Sequence, residues 1–296
     1  MARDGSGPAD SALVSALLRW YSTNERPLPW RHTTPWGVLV SEFMLQQTPV
    51  DRVLPLWEVW LDRWPTPEAL ATDSVADALR AWGRLGYPRR ARWLHQSAVV
   101  ITQQHGGEVP SDPEALRALP GVGDYTTAAV LAFAFGQRSV VLDTNVRRVV
   151  ARTVHGIAQP APHVTTAERA RADGLWPRTH ARSARWSAAV MEFGALVCTA
   201  RQPGCDRCPV QRTCAWTLAG QPTPPVNSSR QAQYEGSDRQ VRGRIMAVLR
   251  DSPRPVGVVA LRAASADDAQ RDRALDGLVT DGLVTRLPRG RYALPD

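Results

Sequence analysis

Four cysteines fall within one short stretch of this 296-residue chain: Cys198, Cys205, Cys208 and Cys214. Intervals of six, two and five residues let four thiolates close around one tetrahedral ion or one cubic cluster. Structural zinc usually pairs two short cysteine knuckles, and only Cys205 and Cys208 make one here. Iron–sulfur ligation tolerates uneven spacing, so the pattern favours a cluster over zinc. The chain starts with no apolar leader, and clustered cysteines in such a chain read as a metal site before disulfides.

Two carboxylates could do acid–base work. Glu42 sits in the run WGVLVSEFMLQQTPV, residues 36–50, beside an apolar face of Val38, Leu39, Phe43, Met44 and Leu45. A lone glutamate there is ordinarily an edge residue or one half of an ion pair. Burial would instead raise its pKa and make it a proton donor near neutral pH. Asp143 follows Val140-Val141-Leu142 and precedes a helical run carrying Arg147, Arg148 and Arg152. It reads as the N-cap of that helix, a role compatible with catalysis. Between the two lies LPGVG, residues 119–123, a tight turn before the apolar stretch from Tyr125 to Phe135. Gly121 and Gly123 would let backbone N–H groups approach an anion at a helix N-terminus. An ordinary inter-helix loop explains the same residues.

The elements around these residues read as helices. Leu13, Leu17, Leu18 and Trp20 keep helical spacing, and residues 55–94 form amphipathic runs. Another helix with a proline-rich link covers 101–119, and 149–195 is mostly helical with a loop near 156–164. No alternating strand pattern of useful length occurs before residue 240, so the first 220 residues read as all-α. Residues 1–10 read as disordered and residues 221–237, rich in Pro, Ser and Gln, as a linker. After that come helices at 238–250, 256–264 and 267–281, then a hairpin of 283–286 and 291–294 around Pro288-Arg289-Gly290. This order resembles a winged-helix module. The predicted domains are 1–220, a 221–237 linker and 238–296.

The net charge of +8 and a pI of about 10.1 favour a polyanionic partner. Nothing in the sequence points to secretion or membrane insertion. The chain has no lysine; all 36 basic side chains are arginine, so no side-chain amine is present to form a Schiff base.

LPGVGDYTTAAV resembles the helix-hairpin-helix of base-excision DNA glycosylases, and Asp143 looks like their invariant aspartate. With SEFMLQQT and the cysteine spacing, residues 17–216 resemble the MutY branch, the adenine DNA glycosylases. The resemblance implies a mainly α helix-hairpin-helix DNA glycosylase fold with a [4Fe-4S] loop, to which the small α+β winged-helix-like module is appended. It implies Glu42 as the acid that protonates the extruded adenine and Asp143 as the ionised group that stabilises the sugar cation, with Tyr125 and Asn145 ordering the site. Paired carboxylates suit the oxocarbenium-like transition state of glycosidic cleavage. Arg26, Trp30 and Arg31, in the Pro-Trp-Arg segment, would line the base pocket, although Trp30 alone reads as a core anchor. Gln46, Gln47 and Thr48 would fill the space left by the flipped base. Tyr87 would wedge into the duplex, with Pro88 where many members carry a second Tyr. Gly121 and Gly123 would contact phosphates, and Arg89, Arg90 and Arg92 are candidate phosphate contacts or a solvated face.

The expected partner is duplex DNA with adenine opposite 8-oxoguanine or guanine. The protein is expected to be a monomer in the cytoplasm, associated with the nucleoid. Thr144 replaces a glycine common beside the aspartate. The tail lacks the Nudix-like domain of better-known members, so recognition of 8-oxoguanine rests on the resemblance alone. An endonuclease III-like lyase needs an amine where this chain has Tyr125. A thymine-mismatch glycosylase needs no glutamate acid. A non-catalytic iron–sulfur DNA-binding regulator would need neither Glu42 nor Asp143.

Overall fold

A computed structural model describes residues 8–222 and 234–296 of the chain. Its helices are, in chain order, α1 (Pro8–Asn24), α2 (Pro35–Leu45), α3 (Val50–Arg63), α4 (Pro67–Thr72), α5 (Val75–Trp82), α6 (Arg89–Gln104), α7 (Pro113–Ala118) and α8 (Asp124–Phe135). There follow α9 (Thr144–Thr153), α10 (Thr166–Leu175), α11 (His180–Leu196), α12 (Ala215–Leu218), α13 (Asp238–Asp251), α14 (Val258–Leu261) and α15 (Asp268–Thr280). Strands β1 (Val256–Gly257), β2 (Thr285–Leu287) and β3 (Arg291–Ala293) form one antiparallel sheet in the order β1-β3-β2. No described helix is long and apolar enough to cross a membrane.

Several helix starts are written in the sequence as a capping side chain followed by proline. Thr34, Thr66 and Asp112 each accept a backbone N–H from the first turn, with Pro35, Pro67 and Pro113 next in line. Proline at that position sacrifices no intrahelical bond and its φ is already helical.

The chain divides into two compact units, Met1–His32 with Gly123–Ser228, and Thr33–Val122 with Ser229–Asp296. The first holds α1 and α8 to α12 around Leu17, Val146, Trp176, Trp186, Val190 and Phe193. Trp176 sets its indole N–H on Ser187 Oγ at 2.9 Å, which satisfies a polar atom inside that core. In the second unit, Trp60 lies edge-to-face with Trp64 and Trp82, centroids 4.6 and 5.6 Å away. Each of these tryptophans is at most 1% exposed.

The C-terminal residues form three helices and a hairpin, as the pattern predicts. Their apolar faces meet through Ile245, Met246, Leu261, Leu275, Leu278 and Leu283. The stretch 256–264, expected as one helix, is instead β1, α14 and a 3-10 turn. Val256 pairs with Tyr292 and Gly257 with Arg291, contacts between residues far apart in sequence that local propensity does not encode. This tail belongs to the second unit, where α13 packs against α5. Of the segment expected to be disordered, Pro8, Ala9 and Asp10 open α1, while residues 1–7 lie outside the described residues. Most of the expected linker, residues 223–233, lies outside them too.

Candidate active site and cysteine loop

In the second unit, α2 is apolar on every side, and residues from Trp36 to Met44 are all buried. A helix without a polar face is a core helix. Glu42 is carried into this interior at 6% exposure, not left at the helix edge as an isolated glutamate ordinarily is. The surroundings are tight: a Cβ on Gly37 would lie 2.4 Å from Thr33 Oγ1, in the bend before the helix, and 3.0 Å from Leu61 on α3. Indole N–H groups of Trp36 and Trp57 donate to Trp64 O and Gly37 O, both at 2.9 Å, fixing the start of the helix. At its end, Gln46 is half-buried, Gln47 is exposed with φ 56°, and Thr48 is buried at 7%.

Tyr87 ends the loop that follows α5. It is 46% exposed, with φ 46°. The three arginines beyond it sit in three different settings. Arg90 is buried at 3% and donates to Phe43 O and Met44 O at 2.9 Å, and to Thr48 Oγ1 and Gly86 O at 3.0 Å. Arg89 pairs with Asp281 at 3.0 Å, and Arg92 donates to the Asp281 carbonyl at 2.9 Å. A Cβ on Gly282 would fall 2.8 Å from the Arg92 guanidinium, so the backbone of the C-terminal residues lies directly against α6. Arg89 thus pairs with a tail carboxylate while staying half exposed, Arg92 bonds a tail carbonyl, and Arg90 is interior. Sequence reading could not see this, because Asp281 lies some 190 positions away from its partners.

The hairpin turn needs its first glycine twice over. Gly121 has φ 77°, and a Cβ there would lie 2.8 Å from Trp93 and 3.0 Å from Phe43. Ser97 Oγ donates to Pro120 O at 2.8 Å and holds the turn on α6. Gly123 is extended, with nothing within 4 Å of an added Cβ, and it caps α8. Its smallness leaves open space at a helix N-terminus, the arrangement that suits an anion.

In the first unit, Asp143 is the N-cap of α9, as the sequence suggests. Its Oδ1 accepts the Val146 N–H at 2.6 Å and its Oδ2 accepts from Asn145 Nδ2 at 2.8 Å. Burial pushes the Asp143 pKa up, and the Val146 N–H, the Asn145 amide and the Arg148 charge oppose that rise. Asn145 is itself oriented: its Oδ1 accepts from Arg148 Nη2 at 2.8 Å. Arg148 then donates to Gly194 O at 2.7 Å and through Nε to Cys198 O at 2.8 Å. A hydrogen-bonded chain thus runs from the aspartate to the cysteine loop. Gly194 permits it, since a Cβ there would sit 2.8 Å from Asn145 Cβ. Tyr125, on α8, is half-buried against the Ala128, Ala129, Ala132 and Val141 cluster.

Arg26 and Arg31 meet at a carboxylate that the sequence reading passed over. Glu192, 2% exposed on α11, accepts from Arg26 Nε at 2.8 Å, Arg26 Nη2 at 2.7 Å and the Arg26 backbone N–H at 3.0 Å. Arg31 reaches the same carboxylate at 3.1 Å and also Glu25 at 3.2 Å. Burial alone would raise the Glu192 pKa, but the bonds and charges of Arg26 and Arg31 hold it below the usual carboxylate range. Trp30, buried at 9%, lies between these arginines in sequence, which fits the anchor reading. A glutamate on an otherwise apolar stretch of α11 was the available signal.

Cys198, Cys205, Cys208 and Cys214 form no disulfide and line one pocket. Two 3-10 turns deliver them: Cys205–Arg207 ends on Cys208, and Gln211–Thr213 ends on Cys214. Arg152 lies beside them, with Nη1 3.5 Å from Cys198 Sγ, further bonds to Thr199 O at 2.7 Å and Ala200 O at 3.1 Å, and its guanidinium over Trp216. Among the described residues no group of three or more His, Cys, Asp or Glu forms a single-ion site.

The sequence profile of the HhH-GPD superfamily of base excision DNA repair proteins matches residues 40–172. An adenine DNA glycosylase of Mycobacterium tuberculosis is 55% identical over 284 residues, covering 94% of this chain and 92% of that protein. The chain belongs to the adenine DNA glycosylase family. This glycosylase is also 52% identical, over 281 residues, to the adenine DNA glycosylase of Mycolicibacterium smegmatis, with 94% of each chain covered. A solved thermostable thymine-DNA glycosylase superposes with a TM-score of 0.66 at 29% identity, covering 71% of this chain and 97% of that one.

The enzyme is a base-excision DNA glycosylase, mainly helical with a small C-terminal sheet. The mycobacterial matches cover too much of the chain to stop at residue 216, where the sequence resemblance was drawn. They extend into the C-terminal module, and because they also cover over nine-tenths of those relatives, the relatives are of similar length.

Proposed function

We propose that this glycosylase hydrolyses the N-glycosidic bond of adenine mispaired with 8-oxoguanine or guanine in duplex DNA and leaves the strand intact. The observation that carries the reading is 55% identity, over nearly the whole chain, to an adenine DNA glycosylase. The chemistry of the site residues agrees with it. Glu42, enclosed in an apolar helix, protonates the departing adenine. Asp143 stays ionised beside the sugar cation, its charge supported by the Val146 N–H, the Asn145 amide and Arg148. Water completes the hydrolysis. Gln46, Gln47 and Thr48 occupy the space of the turned-out base, Tyr87 enters the stack, and backbone N–H groups near Gly121 and Gly123 hold phosphate. Arg26 and Arg31 act on the pocket through Glu192, which fixes the segment carrying Trp30.

Cys198, Cys205, Cys208 and Cys214 would hold a [4Fe-4S] cluster. Their convergence on one cavity supports this, as does Arg152, whose cation offsets the negative charge of ligating thiolates. When bound, the cluster supplies a cross-link that fixes the loop after α11, and through Cys198 and Arg148 it braces the segment carrying Asp143. Iron analysis should return about four irons per chain; one zinc and no iron would reject the cluster.

By this reading residues 1–220 carry catalysis and 238–296 support them, in a monomer that works on DNA in the cytoplasm. The test is substitution of the two carboxylates. Glu42→Gln and Asp143→Asn should each abolish adenine release while duplex binding persists. Near-normal turnover in either variant would show that its role is misassigned.

A further inference from the structure

Among the described residues only four without a glycine backbone adopt positive φ, and two of them are Gln47, at 56°, and Tyr87, at 46°. Both are exposed and both lie in the second unit. A left-handed backbone is disfavoured by any Cβ, and it persists where the surroundings over-determine it. One side chain does so at both places. The carbonyl preceding each residue, Gln46 O and Gly86 O, accepts from the same guanidinium, that of Arg90.

Arg90 is unusual in other ways. It is buried at 3%, and no carboxylate pairs with it among the described residues. Its Nη1 meets the last carbonyls of α2, those of Phe43 and Met44, which form the negative end of that helix. Its guanidinium lies 5.3 Å from the Trp82 ring centre and 5.4 Å from that of Tyr87. Burial pulls its pKa down to about 10. A buried cation without a carboxylate partner is a costly way to join two loops, and an apolar side chain would usually serve stability as well. What an apolar residue could not do is hold two carbonyls from different loops on one planar fork.

We infer that Arg90 is a positioning residue that presets Gln47 and Tyr87 as two exposed prongs for opening the duplex. The inference rests on the proposed insertion of those two side chains into DNA. Arg90 itself touches neither base nor phosphate in this account. It fixes the two backbones beforehand, so that entry into the stack requires no reorganisation of either loop. The same fork joins the end of the Glu42 helix to the loop of Tyr87, so acid and wedge are held in one register.

The experiment uses the full chain as wild type, Arg90→Lys and Thr48→Val. Lysine keeps the charge and loses the fork; valine removes one acceptor, the Thr48 hydroxyl at 3.0 Å, at nearly constant volume. Anisotropy gives duplex affinity. The fluorescence of 2-aminopurine in place of the target adenine reports unstacking at saturating protein, and single-turnover assays give adenine release. We expect Arg90→Lys to bind duplex nearly as wild type does, to lose most of the fluorescence rise, and to release adenine roughly 10- to 100-fold more slowly, the scale of a small misplacement. With 2-aminopurine in a pre-formed unpaired loop, variant and wild type should fluoresce alike. Thr48→Val should show a smaller loss in the same direction. A full fluorescence rise in both folded variants would overturn the proposal alone. So would an unfolded Arg90→Lys together with a wild-type rise for Thr48→Val, since Arg90 would then serve only stability. No rise with wild-type protein would remove the insertion reading itself, and the proposal with it.

Discussion

Asn145 Nδ2 donates to Oδ2 of Asp143 at 2.8 Å, two residues along the same helix start. The cap that begins α9 and the proposed charge stabiliser are one carboxylate. Burial raises its pKa while this bond and the Val146 N–H oppose the rise. If ionised Asp143 is required, adenine release falls on the acid side at a higher pH than an ordinary aspartate would set. Asn145→Ala removes a bond to the ionised form and should move that acid limb further up in pH. Single-turnover rates across pH measure it; an unmoved limb would separate Asn145 from the ionisation.

The same shift has a sign for stability. A carboxyl whose folded pKa is raised contributes stability that is present below its unfolded pKa and lost as pH rises through the folded value. At neutral pH the ionisation of Asp143 therefore costs the fold some stability relative to a neutral side chain making the same cap. Asp143→Asn keeps a good capping side chain, so urea unfolding at pH 7 should show stability equal to or above wild type, while adenine release is lost. A variant that is markedly less stable would indicate that the carboxylate is chiefly structural.

Glu192 has the opposite sign. Its pKa is held low by Arg26 and Arg31, against burial, so its contribution is present above the unfolded pKa and is lost as pH falls through the folded one. Glu192→Ala leaves Arg26 and Arg31 without their shared partner and should cost about 1–3 kcal/mol at pH 7. The difference from wild type should narrow below about pH 4. A pH-independent difference would assign the loss to packing.

Gly194 sets the distance between α11 and the start of α9. A Cβ there would meet Asn145 Cβ at 2.8 Å and Asn145 O at 3.0 Å, and backbone has little room to yield. Gly194→Ala should destabilise by about 1–3 kcal/mol and slow adenine release more than it weakens duplex binding. Unchanged turnover would mean that the Asn145 position is not critical.

A good part of this was legible in the residues. The paired N-caps and prolines, the cysteine spacing, the Asp143 cap and the closing hairpin are all local patterns, and the structure has them. The departures are long-range. Strand β1 forms because Val256 finds Tyr292, and Arg89 and Arg92 of α6 meet Asp281 because the C-terminal residues fold back on that helix. Glu192 looked like one more glutamate until Arg26 and Arg31 met on it, and Arg90 looked like one of three equivalent arginines. Which charges are spent inside the protein is decided by tertiary pairing, and no window of sequence contains both partners.

The central claim is adenine removal without strand cleavage, and one panel tests it. Single-turnover assays would use duplexes bearing adenine opposite 8-oxoguanine, adenine opposite guanine, thymine opposite guanine, and thymine glycol. Products are read with and without alkali, and with borohydride to trap any imine. The account predicts adenine release from the first two duplexes, nicking only after alkali, and no trapped adduct, since the chain has no lysine to form one. Release from the thymine substrates alone, or a stoichiometric borohydride adduct with direct nicking, would contradict it.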